Sequence, residues 1–416
     1  MMDYLEKKSR NWPKGHKALW DNYIHYINVV AIDRLRLHLN SSRSNLSQPP
    51  FLAIFLSIIL IISSGCSVKN NEKNQDKKQP LSKEATAVLH KIGTLGDRFL
   101  IAHQDATSNG VGWNYSDTTQ KCDILDVCGD YPAVYGFDIG HIELGHSCNL
   151  DSVDFKLMNK LIREAHSRGG LITISWHHDN PVSGGQAWDT TRAVSKILPG
   201  AELYDKYVSW IDKAAAFLKN LKDDKGNLIP VFFRPYHEMS GGWFWWGAGH
   251  CTPREYQELW KETVRLLRNK HHLDNLIFVY STDKVLNAGQ FLTWYPGDDW
   301  VDVIGLDYYD RSGTLEGFTN PLKASLAMLK DVGAQHHKPF ALTETGYESI
   351  PDSQWWTGRL LPALKGSGIA WVLFWRNARP SHHFAPYPGH KSSPDFNIFF
   401  KAPETVFGRE WAAITQ

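Results

Sequence analysis

Residues 230–238 read Pro-Val-Phe-Phe-Arg-Pro-Tyr-His-Glu. The stretch begins as an apolar run suited to a strand and ends in Arg234, His237 and Glu238, side chains that do chemistry rather than packing. The same pattern recurs along the chain. Short β-branched or aromatic runs at 99–103, 133–138, 171–176, 230–234, 276–281, 301–307, 339–344 and 370–376 are predicted strands. Most are continuously apolar, which marks parallel strands covered on both faces. Helices are predicted at 153–167, 204–222, 253–269 and 322–336, the last stopped by Pro339. Eight strand units over this length suggest an α/β chain folded as a (β/α)8 TIM barrel with a single domain, rather than an open doubly wound sheet. No Gly-x-Gly-x-x-Gly opens a helix after the first strand, so a dinucleotide-binding fold loses support.

Nearly every predicted strand ends in polar groups: His103-Gln104-Asp105, Asp138, His177-His178-Asp179, His237-Glu238, Asp307-Tyr308-Tyr309, Glu344 and Trp375-Arg376-Asn377. In a barrel these ends converge on one face, which holds the active site. Two carboxylates stand out there. Glu238 follows strand 4 and Glu344 ends strand 7, so the two can face each other across the mouth. Carboxyl groups about 5–5.5 Å apart suit retaining glycoside hydrolysis, one as nucleophile and one as acid/base. Glu238 precedes Met239-Ser240-Gly241-Gly242-Trp243-Phe244-Trp245-Trp246, an aromatic setting that favours the protonated acid. Glu344 is then the nucleophile, with a Tyr hydroxyl of strand 6 within reach.

Composition agrees. Lys+Arg 45 against Asp+Glu 44 leaves a net charge of +1, without the basic excess of a nucleic-acid binder. The 17 Trp suggest flat faces lining a groove, although Trp210, Trp260 and Trp371 sit at core spacing. The paired histidines (His177-His178, His271-His272, His336-His337, His382-His383) form no His-x-x-x-His, and no metal is expected at the site.

The first 66 residues are a different kind of sequence. An apolar run at 51–62 lies between Arg34, Arg36 and Arg43 and the sequence Ser63-Ser64-Gly65-Cys66. Twelve residues span only about 18 Å as a helix, too short for a bilayer core of about 30 Å. Residues 1–66 therefore read as a lead and a secretory signal peptide. Ser-Ser-Gly-Cys resembles a bacterial lipobox, with Cys66 as the lipidated residue, although Ser63 stands where Leu is usual. The long lead suggests a translation start downstream of Met1. Residues 67–83 read as a flexible tether and 84–416 as the catalytic domain. The expectation is an exported, membrane-anchored lipoprotein, periplasmic or on the cell surface. Cys122, Cys128, Cys148 and Cys251 fit no zinc spacing; export permits disulfides, and their pairing is left open.

Together, Arg234-Pro235-Tyr236-His237-Glu238-Met239, Asp307-x-Tyr309, Thr343-Glu344-Thr345-Gly346 and Phe374-Trp375-Arg376 resemble glycoside hydrolase family 26, the family of bacterial β-mannanases. The resemblance covers about Leu81 to the C-terminus. It implies Glu238 as acid/base and Glu344 as nucleophile. It also implies His177 and His237 in the −1 site, Trp243 as an aromatic platform, Asp307 and Tyr309 beside the nucleophile, Trp375 under the −1 sugar and Arg376 toward −2. Ser281-Thr282-Asp283 has no counterpart and is assigned no role. The implied enzyme is a monomeric endo-β-1,4-mannanase acting on a mannan polysaccharide or oligosaccharide without a cofactor. An exo-acting mannobiohydrolase and a non-catalytic surface glycan-binding protein are the alternatives; the second has no reason to keep both Glu238 and Glu344.

Overall fold

A computed structural model describes residues 79–115 and 121–415. The expected signal peptide, the expected lipidation site Cys66 and most of the expected tether lie outside the described residues. Eight strands form the barrel: β1 (Phe99–Gln104), β2 (Val134–Asp138), β3 (Leu171–Trp176), β4 (Val231–Pro235), β5 (Leu276–Asp283), β6 (Val303–Asp310), β7 (Phe340–Tyr347) and β8 (Trp371–Phe374). All pair in parallel with their sequence neighbours, and β8 returns to β1 with Leu100 opposite Trp371, closing the sheet. The expected (β/α)8 barrel is the fold.

The continuous apolar runs become strands because both of their faces are covered. Inward residues such as Leu100, Ala102, Phe232, Val279, Val303, Ala341 and Leu373 fill the barrel, and Phe232 packs on Trp371 with ring centroids 4.8 Å apart. Outward residues meet the helices α2 (Phe155–Ser167), α3 (Tyr204–Lys219), α4 (Pro253–Val264) and α5 (Asn320–His336). Thr252 and Glu255 form a capping box at the start of α4, satisfying backbone donors the helix itself leaves open. Beyond α4 a π-helical segment, Arg265–Lys270, turns Arg268 inward to Asp302 (3.0 Å).

One helix missing from the sequence reading, α1 (Lys83–Ile92), closes the bottom of the barrel. Its Ala85 and Ile92 pack with the inward residues, and Ser82 N donates to Asp274 O, just before β5. A short strand, Thr405–Val406, pairs with β1 outside the barrel. Strands β5 to β7 run two or three residues beyond their expected ends. Asp283 pairs with Asp307 and Tyr309 with Gly346, so polar residues that read as loop are still ladder. β8 is shorter than expected, and Trp375 and Arg376 have left it.

Most tryptophans are core. Trp176, Trp245, Trp246, Trp260, Trp355, Trp356, Trp371 and Trp411 are essentially inaccessible, whereas Trp188 is 49% and Trp243 39% exposed. The Trp count thus reflects packing far more than groove lining. Cys122, Cys128, Cys148 and Cys251 are free thiols, and burial pushes that of Cys122 up to about 12.

Candidate active site

The chain leaves β4 through two left-handed non-glycine residues, Tyr236 (φ 50°) and Glu238 (φ 54°). Such backbone costs about 1–3 kcal/mol per residue and persists only where neighbours over-determine it. They do here. The Tyr236 hydroxyl lies 2.7 Å from that of Tyr207 and 3.0 Å from Thr263 Oγ1, and Tyr256 Oη donates to Tyr236 O. Trp246 Nε1 donates to His237 O, and Glu238 N to Ser281 O at the end of β5. The turn aims Glu238 into the mouth, where Trp243 Nε1 donates to its Oε2 (2.8 Å). Gly241 is required beneath that indole: a Cβ there would stand 2.3 Å from the Trp243 ring.

Glu344 reaches the same space by a different device. Between β6 and β7 the register shifts, with Leu306 opposite Leu342 but Asp307 opposite Glu344. In a regular strand Thr343 and Glu344 would point to opposite faces. The bulge lets both turn inward: Thr343 Oγ1 donates to Asp307 Oδ1 (2.6 Å), and Glu344 accepts from Tyr309 Oη (2.7 Å) at Oε2. Gly305 makes room for Thr343, whose Cγ2 would be 2.5 Å from a Cβ at that position.

Arg234 joins these groups. Fully buried, it donates to Asp307 Oδ2 (2.9 Å) and to Glu344 Oε1. A buried guanidinium needs such partners, and burial of Asp307 and Glu344 needs the guanidinium. One carboxylate oxygen each of Glu238, Asp307 and Glu344 lies within 4.8 Å of the others. That spacing could grip a cation, and Arg234 already supplies one to two of the three.

The two glutamates differ in surroundings. Burial pushes Glu238 well above the usual carboxylate range; the charges of Glu344, Asp307 and Asp283 add to it, and the Trp243 N–H opposes it. Glu344 instead has a cationic and a neutral donor, as a carboxylate anion requires. Burial and the Glu344 charge also push the Tyr309 hydroxyl well up, so it remains a donor. One carboxyl group held protonated and one held by a cationic and a neutral donor, facing each other, can perform acid/base and nucleophilic chemistry on one bond.

His177 and His237 meet beside this pair with their Nε2 atoms 3.0 Å apart, and His237 Nε2 stands 4.0 Å from Glu344 Oε1. Trp243 and Trp375 lie at the rim, Trp375 edge-on to His177 with centroids 6.0 Å apart. Arg376 pairs with Asp151 (2.6 Å) from the loop after β2. The nine sugar-binding and catalytic residues singled out from the sequence therefore lie around one mouth. Phe244, Trp245 and Trp246 do not line it; they are buried beneath His237 and His178. The sequence reading noted Arg234 at a strand end but gave it no role in the site, although a charged residue inside the run Val-Phe-Phe-Arg demands buried acidic partners. It also missed Trp188, exposed and stacked on His177 (5.4 Å, 19°), and gave no role to Asp283, whose charge reaches Glu238.

A sequence model described as glycosyl hydrolase family 26 matches residues 79–345. A mannan endo-1,4-β-mannosidase of Bifidobacterium adolescentis is 34% identical over 294 residues, 68% of this chain but 28% of that protein. One of Bacillus subtilis is 30% identical over 313 residues, 71% of this chain and 80% of that protein. The chain thus spans little more than a quarter of the first relative and most of the second. Among solved structures, a GH26 β-mannanase of Bacteroides ovatus superposes with a TM-score of 0.76 and 41% identity, covering 79% of this chain and 96% of that one. An endo-β-1,4-mannanase of Cellulomonas fimi gives 0.73 and 33%, covering 81% and 77%.

Proposed function

The chain belongs to glycosyl hydrolase family 26, and from that membership we propose that it cleaves internal β-1,4-mannosidic bonds of mannan, galactomannan or glucomannan by double displacement. The observation that carries this reading is the pairing of a carboxyl group held protonated, Glu238, with one held by Arg234 and Tyr309, Glu344, their oxygens within 4.8 Å. Nearest oxygens that close suit direct attack by a carboxylate better than attack by an interposed water.

In the first step Glu344 attacks the anomeric carbon and forms a glycosyl ester, while Glu238 gives its proton to the departing oxygen. In the second, Glu238 takes a proton from water, water attacks the same carbon, and the ester breaks with net retention. Arg234 and Tyr309 hold the Glu344 carboxylate in line. His177, His237, Trp243, Asp307, Trp375 and Arg376 bind and orient the sugars around the scissile bond.

The test is a product time course from mannohexaose and polymeric mannan, with the anomeric form read by NMR in the first minutes. Mixed oligomers and initial β-anomer support the reading. Mannobiose alone from the start means exo action, and initial α-anomer means inversion; either rejects it. We further propose that the chain is exported and anchored through a lipid on Cys66, from the Ser-Ser-Gly-Cys sequence after the apolar run.

A further inference from the structure

Asp138 ends β2, and the double-displacement scheme leaves it unused. Its buried carboxylate receives four donors. Ser175 Oγ (2.6 Å) and His177 Nδ1 (2.7 Å) donate to Oδ2, and Gly140 N (2.7 Å) and His177 N (3.3 Å) donate to Oδ1. We infer that Asp138 is a positioning residue, which fixes the protonation of the His177–His237 pair beside Glu344. The inference rests on the reading of Glu344 as nucleophile.

An ionised carboxylate only accepts hydrogen bonds, so His177 must keep its hydrogen on Nδ1. Its remaining nitrogen, Nε2, faces Nε2 of His237 at 3.0 Å, and two nitrogens that close share one proton. With His177 neutral, the shared proton belongs to His237 Nε2, 4.0 Å from Glu344 Oε1. His237 Nδ1, buried without a partner, then carries only a lone pair. When His177 takes up a proton, the shared hydrogen becomes its own, and neutral His237 must carry a hydrogen on Nδ1, where no acceptor meets it. A second cation then stands near Arg234, beside a carbon that becomes positive in the transition state. The neutral pair is the working form.

The groups facing His177 are Asp138 from β2, Asp151 from the following loop, His178 beside it, Arg234 and His237 from β4, and Glu344 from β7. Burial lowers His177, but Asp138 by charge and hydrogen bond, with Glu344, outweighs it and holds His177 above its ordinary range. His237 is driven well below by burial, Arg234 and His177. Asp138 thus sets both the tautomer and the pH at which the pair charges.

The experiment compares Asp138→Asn with the parent enzyme labelled with 15N-histidine. In the parent, His177 should show the Nδ1–H tautomer. In the variant its titration should move down by about 1 pH unit or more. The acid limb of kcat/KM should follow, with kcat falling about 10–100-fold, as loss of a ring-orienting partner does elsewhere, and KM little changed. An unmoved His177 titration or an unmoved acid limb overturns the proposal. Ser175→Ala removes a donor from the same carboxylate but leaves the anion, so it should leave tautomer and limb in place. If it shifts them as far as Asp138→Asn does, loosening between β2 and β3 is the cause and the proposal fails. Absence of mannan cleavage in the parent would reject the proposed function, while the imidazole titration would still decide the role of Asp138.

Discussion

Replacing Glu238 by Gln isolates one proton. The amide oxygen of Gln still accepts from Trp243 Nε1, which donates to Oε2 of Glu238 at 2.8 Å, and the neutral side chain matches the protonated carboxyl group that burial and Glu344 enforce. Thermal unfolding should therefore be unchanged, and what disappears is the ability to give or take a proton. Loss of a general acid costs about 10²–10⁴-fold, or about 3–5 kcal/mol of barrier. That loss should appear in full on mannan, whose leaving alkoxide needs the proton. On a dinitrophenyl β-mannobioside, whose phenolate leaves unaided, the first step should lose little. The glycosyl ester on Glu344 should then accumulate, visible as a stoichiometric burst of phenol before slow turnover, because Glu238 is also the base of the second step. The basic limb of the pH profile should vanish as well, since activity falls as pH rises through the Glu238 titration. His237 is the rival for this proton, being adjacent. Its Nε2 is engaged with His177 and its Nδ1 is buried, so neither nitrogen is offered to a glycosidic oxygen. Equal losses on both substrates, or a leaving-group dependence in His237→Ala and not in Glu238→Gln, would refute the assignment.

Glu344→Ala should abolish mannan cleavage, and added azide or formate should restore it with inverted anomeric configuration, because a small anion occupies the vacated space; rescue with retention would exclude Glu344 as nucleophile. Asp138 is fully buried, and the charge and hydrogen bonds of His177, with Ser175 and Gly140, hold it down at about 2 against a desolvation that raises it. A depressed carboxylate stabilises the fold above its unfolded value near 3.9 and loses that contribution as pH falls toward 2, here about 2 kcal/mol. Urea unfolding between pH 5 and pH 2 should show this decline, and Asp138→Asn should flatten it. Cys66→Ala should release the protein from the membrane fraction; equal association of variant and parent would exclude the lipid anchor.

The barrel was legible because its signal is local. Most strands from Phe99 to Phe374 begin as apolar runs, and burial on both faces favours a parallel barrel for eight of them in order. The glutamates were legible for the same reason, as polar residues where an apolar run stops. What escaped depends on partners far apart in the chain. The inward turn of Thr343 and Glu344 together needs a register shift against β6, which no residue of β7 announces. The double pairing of Arg234 needs Asp307 and Glu344 from two other strands. Asp138 read as one more polar strand end until β3 placed Ser175 and His177 on it. Tryptophan misled because composition carries no position: an indole packs under His178 as readily as it lines a cleft.

The helix α1 has a consequence for how this molecule meets a solid substrate. It seals the end of the barrel opposite Glu238 and Glu344, and Gln79, ahead of it, is held there too: its N donates to Asn269 Oδ1, and its O accepts from Arg268 Nη1. Whatever the chain carries upstream is joined at the base of the vessel, and the mouth opens the other way. Traction applied through the N-terminus, by an anchor or an immobilising tag, pulls on the floor and leaves the rim free. A long, stiff polysaccharide can then lie across the opening without meeting the point of attachment, which makes N-terminal coupling the orientation of choice for fixing this enzyme to a surface.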